Sequence, residues 1–65
     1  MNGYIPVKIE YDEQKDKFYI SSEEKVLKTF FGEWAFMEYL RQLNFPEERV
    51  EEITNRAILD GEVII

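Results

Sequence analysis

Apolar residues along this chain fall into alternating runs, then two helical stripes, then a short apolar stretch at the C-terminus. From Ile5 to Tyr11 the residues Ile5, Val7, Ile9 and Tyr11 alternate with Pro6, Lys8 and Glu10, which is the period of a half-buried strand. Phe18 and Ile20 flank Tyr19 after the polar stretch Asp12 to Asp16 and predict a second strand. Pairing Tyr11 with Phe18 and Ile9 with Ile20 puts all four on one face and leaves Glu13 to Asp16 as the hairpin loop. The opposite face then carries Lys8, Glu10, Lys17 and Tyr19, a mixed-charge surface suited to solvent. Pro6 has no N–H for a ladder, so the first strand is expected at a sheet edge, or with Pro6 turned away from its neighbour.

Ser21-Ser22-Glu23-Glu24 can be a turn into a third strand or a capping box that starts a helix. The turn is preferred, because Val26 to Phe31 is rich in β-branched and aromatic residues and stops at Gly32. Such a strand carries Val26 and Phe30 on one face and Leu27 and Phe31 on the other, so neither side is made for water. That two-sided character predicts a homodimer.

Trp34, Met37 and Leu40 then recur at helical spacing, overlapped by a second stripe of Phe36, Tyr39, Leu40 and Leu43, so Glu33 to Leu43 predicts a largely buried helix. Asn44 stops it, and Phe45-Pro46 forces extended backbone before opening a second helix with proline in its first turn. Val50, Ile53 and Ala57 form the narrow apolar stripe of that helix, which ends at Asp60-Gly61. Val63-Ile64-Ile65 is too apolar to dangle in water and returns as a short strand on the sheet or pairs with another subunit. The expected fold is one α+β domain, a small antiparallel β-meander in the order β-β-β-α-α-β with two helices packed on one face.

The stretch Leu43-Asn44-Phe45-Pro46-Glu47-Glu48-Arg49-Val50-Glu51 resembles the first turn and second helix of ubiquitin-associated domains. Those domains are three-helix bundles with no preceding sheet, so the resemblance is one of local helix-proline-helix grammar and implies no shared function.

Composition narrows the stabilising devices. Domains of this size bury only about 60% of the surface exposed by the unfolded chain and often need a disulfide, a metal or a partner. The 65 residues include no cysteine and no histidine, which removes disulfides and the usual zinc ligands. Dense packing or oligomerisation is left, and five Phe, four Tyr and one Trp supply the means for packing. The net charge of −6 favours basic partners and repels bare nucleic acid. It is uneven: residues 1–31 hold five Lys against six acids, whereas residues 32–65 hold three Arg against eight. No apolar run approaches the roughly 18 residues of a membrane span, and Met1-Asn2-Gly3-Tyr4 lacks the pattern of a secretory signal. The expectation is a cytoplasmic protein with no membrane contact.

Without His or Cys the commonest general base, nucleophile and metal ligand are missing, so no enzyme activity and no cofactor are expected. A domain this small is also expected to lack a pocket of the roughly 300 Å³ that a ligand site needs. Gly3, Gly32 and Gly61 lie too far apart for a phosphate-cradling loop, and Asp12, Glu13 and Asp16 lack the spacing of a calcium loop.

Glu47, Glu48, Glu51 and Glu52 crowd the start of the second helix. They can be dipole-compatible solvated charge with a Glu52–Arg56 pair, a docking surface for a basic protein, or a mimic of a nucleic-acid backbone. Tyr19 with Lys8 and Lys17 could stack a single-stranded base, but Glu10 shares that face. Trp34 is expected in the core beside Phe30, Phe31 and Phe36, with an interface anchor as the functional alternative. Taken together, the expected function is a non-enzymatic, protein-binding regulator or inhibitor of a larger, basic-surfaced protein. Partner contact falls on Glu47, Glu48, Glu51, Glu52, Trp34 and Tyr19, and self-association on Val26, Phe30, Val63, Ile64 and Ile65. Nucleic-acid mimicry and weak single-strand binding through the hairpin are the alternatives.

Overall fold

The computed structural model describes residues 6–65, so the expectations resting on Ile5 and on Met1 to Tyr4 lie outside the described residues. Four strands, β1 (Lys8–Asp12), β2 (Lys17–Ser22), β3 (Lys25–Phe31) and β4 (Glu62–Ile64), join two helices, α1 (Gly32–Gln42) and α2 (Glu47–Asp60). The strands form one antiparallel sheet in the order β3-β2-β1-β4. This is the α+β meander with the β-β-β-α-α-β order that the apolar pattern predicts. Helix α1 packs on β2 and β3, and α2 packs on β1 and β4.

The β1–β2 register is the expected one, with Ile9 opposite Ile20 and Tyr11 opposite Phe18. The loop between them closes on its own side chains. Asp12 Oδ1 accepts the N–H groups of Gln14 (3.0 Å) and Lys15 (3.2 Å), and the Tyr11 hydroxyl donates to Asp16 Oδ1 (2.8 Å). That hydrogen bond, followed by burial and the nearby acids, holds the Tyr11 phenol above its usual pKa.

The edge position expected for the first strand is not observed. β1 runs between β2 and β4, and its ladder extends back to Val7, whose N–H and C=O both bond to Ile65. Pro6 falls just outside the strand, where its missing donor removes no ladder bond.

The turn preferred for Ser21 to Glu24 is present but lies one residue later, at Ser22 to Lys25, because β2 runs on through Ser22; Glu23 (φ 53°) and Glu24 (φ 66°) are its central residues. Two positive φ values mark a type I′ turn, for which Asn and Gly are the low-energy choices. Just beyond it, a bulge between Ile20 and Ser21 sets Val26 opposite Ser21, Lys28 opposite Ile20 and Phe30 opposite Phe18. The extra residue, Leu27, reverses the parity of β3. Val26 and Phe30 therefore lie on opposite faces, contrary to the alternation expected from sequence. Phe30 packs on the Phe36 and Tyr39 rings, whereas Val26 faces away from the helices.

β3 runs into α1 with no intervening loop, because Gly32 takes φ 82° and its N–H bonds to the Asp16 carbonyl (2.8 Å). Of the two apolar stripes on α1, the second enters the core. Phe36 and Leu40 are buried, with Phe36 stacked on Phe18 at 4.4 Å and 1°. Trp34, expected in the core, is 79% exposed. Only one stripe of a helix lying on a sheet faces inward, and Phe36 and Leu40 occupy it, so α1 is not the largely buried helix expected.

α1 ends on Asn44 at φ 70°, whose N–H bonds to the Arg41 carbonyl while the Phe45 N–H reaches that of Leu40. This is a Schellman arrangement, and Phe45 at its far end packs against the core. Pro46 stands at the N-cap of α2, one position before its expected place in the first turn, and its carbonyl accepts from Val50 (3.0 Å). Val50, Ile53 and Ala57 are buried as their spacing predicts, and buried Thr54 satisfies its hydroxyl on the Val50 carbonyl (2.8 Å). Gly61, at φ 85°, turns the chain into β4, which returns to β1 with Val63 opposite Ile9.

Candidate docking cleft

The two helices do not cover the sheet completely. At the end where β1 begins and β2 stops, a cleft of about 440 Å³ opens between the sheet and the C-terminal turn of α1. Its size runs against the expectation that so small a domain lacks a pocket of that order, although it is a surface cleft open on one side. Ile9, Ile20 and Leu40 form the floor, and Leu27, Leu43 and Phe45 form the walls.

Each wall has a local cause. The bulge in β3 turns Leu27 toward the helices, where it lies 59% exposed. Leu43 is the last residue before the Asn44 turn and is 51% exposed. Phe45 is drawn back over Leu40 by the same turn. Arg49 stands at the rim, but its guanidinium is held by Glu52 (2.8 Å). The cleft is thus apolar with a compensated charge at its mouth. It can take an aliphatic or aromatic side chain, and among the described residues its lining holds no carboxylate.

The sequence-predicted site residues are scattered. Glu47, Glu48, Glu51 and Glu52 are all exposed on α2, but two of them are tied down. Arg41 from α1 grips Glu47 through Nη2 (2.8 Å) and Nε, and also reaches Glu38 (3.5 Å). The Arg41 hydrogen bond holds the Glu47 carboxyl below its usual pKa against a smaller opposing effect of burial, and Glu47 in turn raises that of Arg41. Glu52 pairs with Arg49, not with Arg56 as its spacing allowed, and Arg56 reaches Asp60 (3.9 Å). Glu48 and Glu51 make no ion pair among the described residues. Arginines therefore interrupt the acidic band from Glu38 through Glu52, which weakens the case for nucleic-acid mimicry.

On the hairpin, Tyr19 is half-buried opposite Glu10 and Thr29. Lys8 is engaged by Glu62 (3.3 Å) and Glu10 (3.8 Å), and Lys17 lies 4.7 Å over the Phe31 ring. Both cations expected beside a stacked base are already occupied. Among the residues expected to self-associate, Phe30, Val63 and Ile65 pack against the core of their own chain, whereas Val26 and Ile64 remain exposed.

Among the described residues, no group of three or more acidic side chains is placed to hold a metal ion, and no helix is long and apolar enough to cross a membrane. No family model matches the chain, and no curated protein or solved structure is significantly similar to it. Sequence reasoning missed the cleft. Its walls come from the bulge and the Schellman turn, and only the Leu43-Asn44-Phe45-Pro46 punctuation hinted at the latter.

Proposed function

We propose that this protein is a non-enzymatic binding module that regulates a larger protein by seating one of that protein's apolar side chains in the cleft beside Leu27, Leu43 and Phe45. The observation that carries this reading is the pairing of a concave apolar floor with two leucines left more than half exposed at its rim. Anchors of this kind, an aromatic or aliphatic group filling a desolvated pocket, dominate the energetics of protein interfaces. A net charge of −6 around such a patch favours approach by a basic-surfaced protein. Trp34, 79% exposed on the opposite side of α1 from the core, is a second anchor available to the same or another partner.

Selection of random peptides on the immobilised protein tests this. Enriched peptides share an aromatic or large aliphatic anchor, shift the amide resonances of Leu27, Tyr39, Leu43 and Phe45, and lose binding to a Leu43→Glu variant that melts like the wild type. Enriched peptides whose shifts fall elsewhere, or whose binding survives Leu43→Glu, overturn the proposal.

Self-association through β3 is the second reading, favoured by an exposed seven-residue edge strand carrying Val26, Leu27 and Phe31. The bulge, Lys25 and Lys28 oppose it, since bulges and lysines are the usual guards against edge pairing. Light scattering across a dilution series separates the two: a monomer at all concentrations removes the dimer and leaves the cleft.

A further inference from the structure

The charges at the mouth of the cleft are opposite in sign to the charge of the molecule as a whole. Lys28 stands opposite Ile20 and Lys25 opposite Ser22, so both lysines fall on the helix side of the sheet. There they flank Leu27, one wall of the cleft. Lys28 Nζ lies 5.8 Å over the ring of Tyr39, which lines the cleft, so its charge is held at the cleft mouth and not along the free edge of β3. Arg49 adds a third cation at the rim, on the α2 side.

Little negative charge offsets this rim. Neither Lys25 nor Lys28 makes an ion pair among the described residues, whereas Arg49 is held by Glu52. The β2–β3 turn also sorts its charges by face. Glu23 and Glu24, the acids next to Lys25 in sequence, line a recess on the other side of the sheet with Val26 and Ile64. At physiological ionic strength the screening length is about 8 Å, so a segment bound in the cleft responds to these local cations. The net charge of −6 acts instead on the partner's wider surface during approach.

We infer that the partner segment seated in the cleft is acidic, with its aliphatic or aromatic anchor flanked by Asp or Glu. This rests on the cleft being the docking site. The anchor fills the space over Ile9, Ile20 and Leu40, and a flanking carboxylate meets the ammonium groups of Lys25 and Lys28. Lysine suits this task, because its flexible stem lies on apolar surface while the ammonium follows the carboxylate. A basic flank would bring like charges together, so the rim also selects against the commonest wrong occupant of an acidic protein. A partner whose wider surface is basic satisfies both conditions by presenting an acidic, apolar segment from within that surface.

The test uses the full chain and the probe acetyl-Glu-Leu-Phe-Glu-amide, followed by amide chemical shifts, with Gln and Lys in place of Glu as the neutral and basic controls. The acidic peptide shifts Leu27, Tyr39, Leu43 and Phe45 saturably, the Gln peptide binds several-fold more weakly, and the Lys peptide more weakly again. Salt at about 1 M, where the screening length is about 3 Å, removes most of this ranking. The double variant Lys25→Gln with Lys28→Gln melts like the wild type and lowers affinity for the acidic peptide about threefold or more, the size expected for two exposed ion pairs. Equal binding of the three peptides at these resonances, or a ranking unchanged in the lysine variant, would overturn the acidic segment and leave the cleft reading in place. Tighter binding of decanoate at the same resonances would make the occupant a free amphiphile, and shifts there on dilution of the protein alone would make it a second copy; either overturns the inference. If none of the three peptides moves these resonances, the cleft reading itself fails and takes this inference with it.

Discussion

Two aromatic rings two residues apart on α1 have opposite environments, and substituting each to alanine separates core from surface. Phe36 is fully buried and stacks at 4.4 Å on Phe18, itself fully buried. Phe36→Ala removes a core ring and leaves a cavity, which costs about 3–5 kcal/mol, including about 0.5–1.5 for the aromatic pair. At about 0.05–0.15 kcal/mol per residue the whole 65-residue domain is stabilised by only about 3–10 kcal/mol. Phe36→Ala therefore removes from about a third to all of that stability. Phe36→Leu, which loses about three carbon atoms, stays folded at a cost of about 1–2 kcal/mol. Trp34→Ala acts on a ring 79% exposed and costs no more than about 0.5 kcal/mol, the range of ordinary surface substitutions. Urea titrations followed by far-ultraviolet circular dichroism measure all three with one slope as control. A Trp34→Ala loss above about 1.5 kcal/mol, or a Phe36→Ala protein of near wild-type stability, refutes the assignment of the two stripes.

Three further substitutions probe the turns and the ion pair. Glu23→Asn with Glu24→Gly supplies the residues preferred at a type I′ turn and raises stability by about 1 kcal/mol, seen as a melting temperature about 4–8 °C higher; a decrease contradicts the turn geometry. Gly61→Ala meets no atom within 4 Å but forces φ 85° on an L side chain, so it costs about 1 kcal/mol through strain alone, and an unchanged melting temperature refutes that cap. Glu47 has its folded pKa depressed by Arg41, so its contribution is present above the unfolded carboxylate range and is lost as pH falls through the folded value. Stability measured from pH 7 down to pH 2 therefore falls less steeply in Glu47→Gln than in wild type, and parallel curves contradict the coupling.

Local sequence grammar accounts for most of this fold. Ile9, Tyr11, Phe18 and Ile20 admit one register that puts all four on the core face, and Gly32, Asn44-Phe45-Pro46 and Gly61 mark the helix ends by backbone conformation alone. What escaped depends on a single residue's offset or on distant elements. The bulge at Leu27 leaves no compositional trace, yet it moves Val26 to the other face. Trp34 and Phe36 belong to overlapping stripes, and the choice between them is made by the sheet beneath, not by the helix. Pro6 misled because it lies just before β1 begins. Arg49 and Arg56 were both within reach of Glu52, and only side-chain direction decides between them. The cleft draws on four or more separate segments, so no window of sequence contains it.

The order in which the sheet closes has a kinetic consequence. β1, β2 and β3 are joined by short turns and α1 follows β3 without a loop, so these elements meet through local contacts. β4 must instead find β1 across a connection on the order of 50 residues, with an entropic cost of about 3 kcal/mol. Until it does, one side of β1 is an unguarded edge. Refolding yield should therefore fall with protein concentration, and the three residues of β4 act as the latch that removes this chain from the pool able to exchange strands with its neighbours.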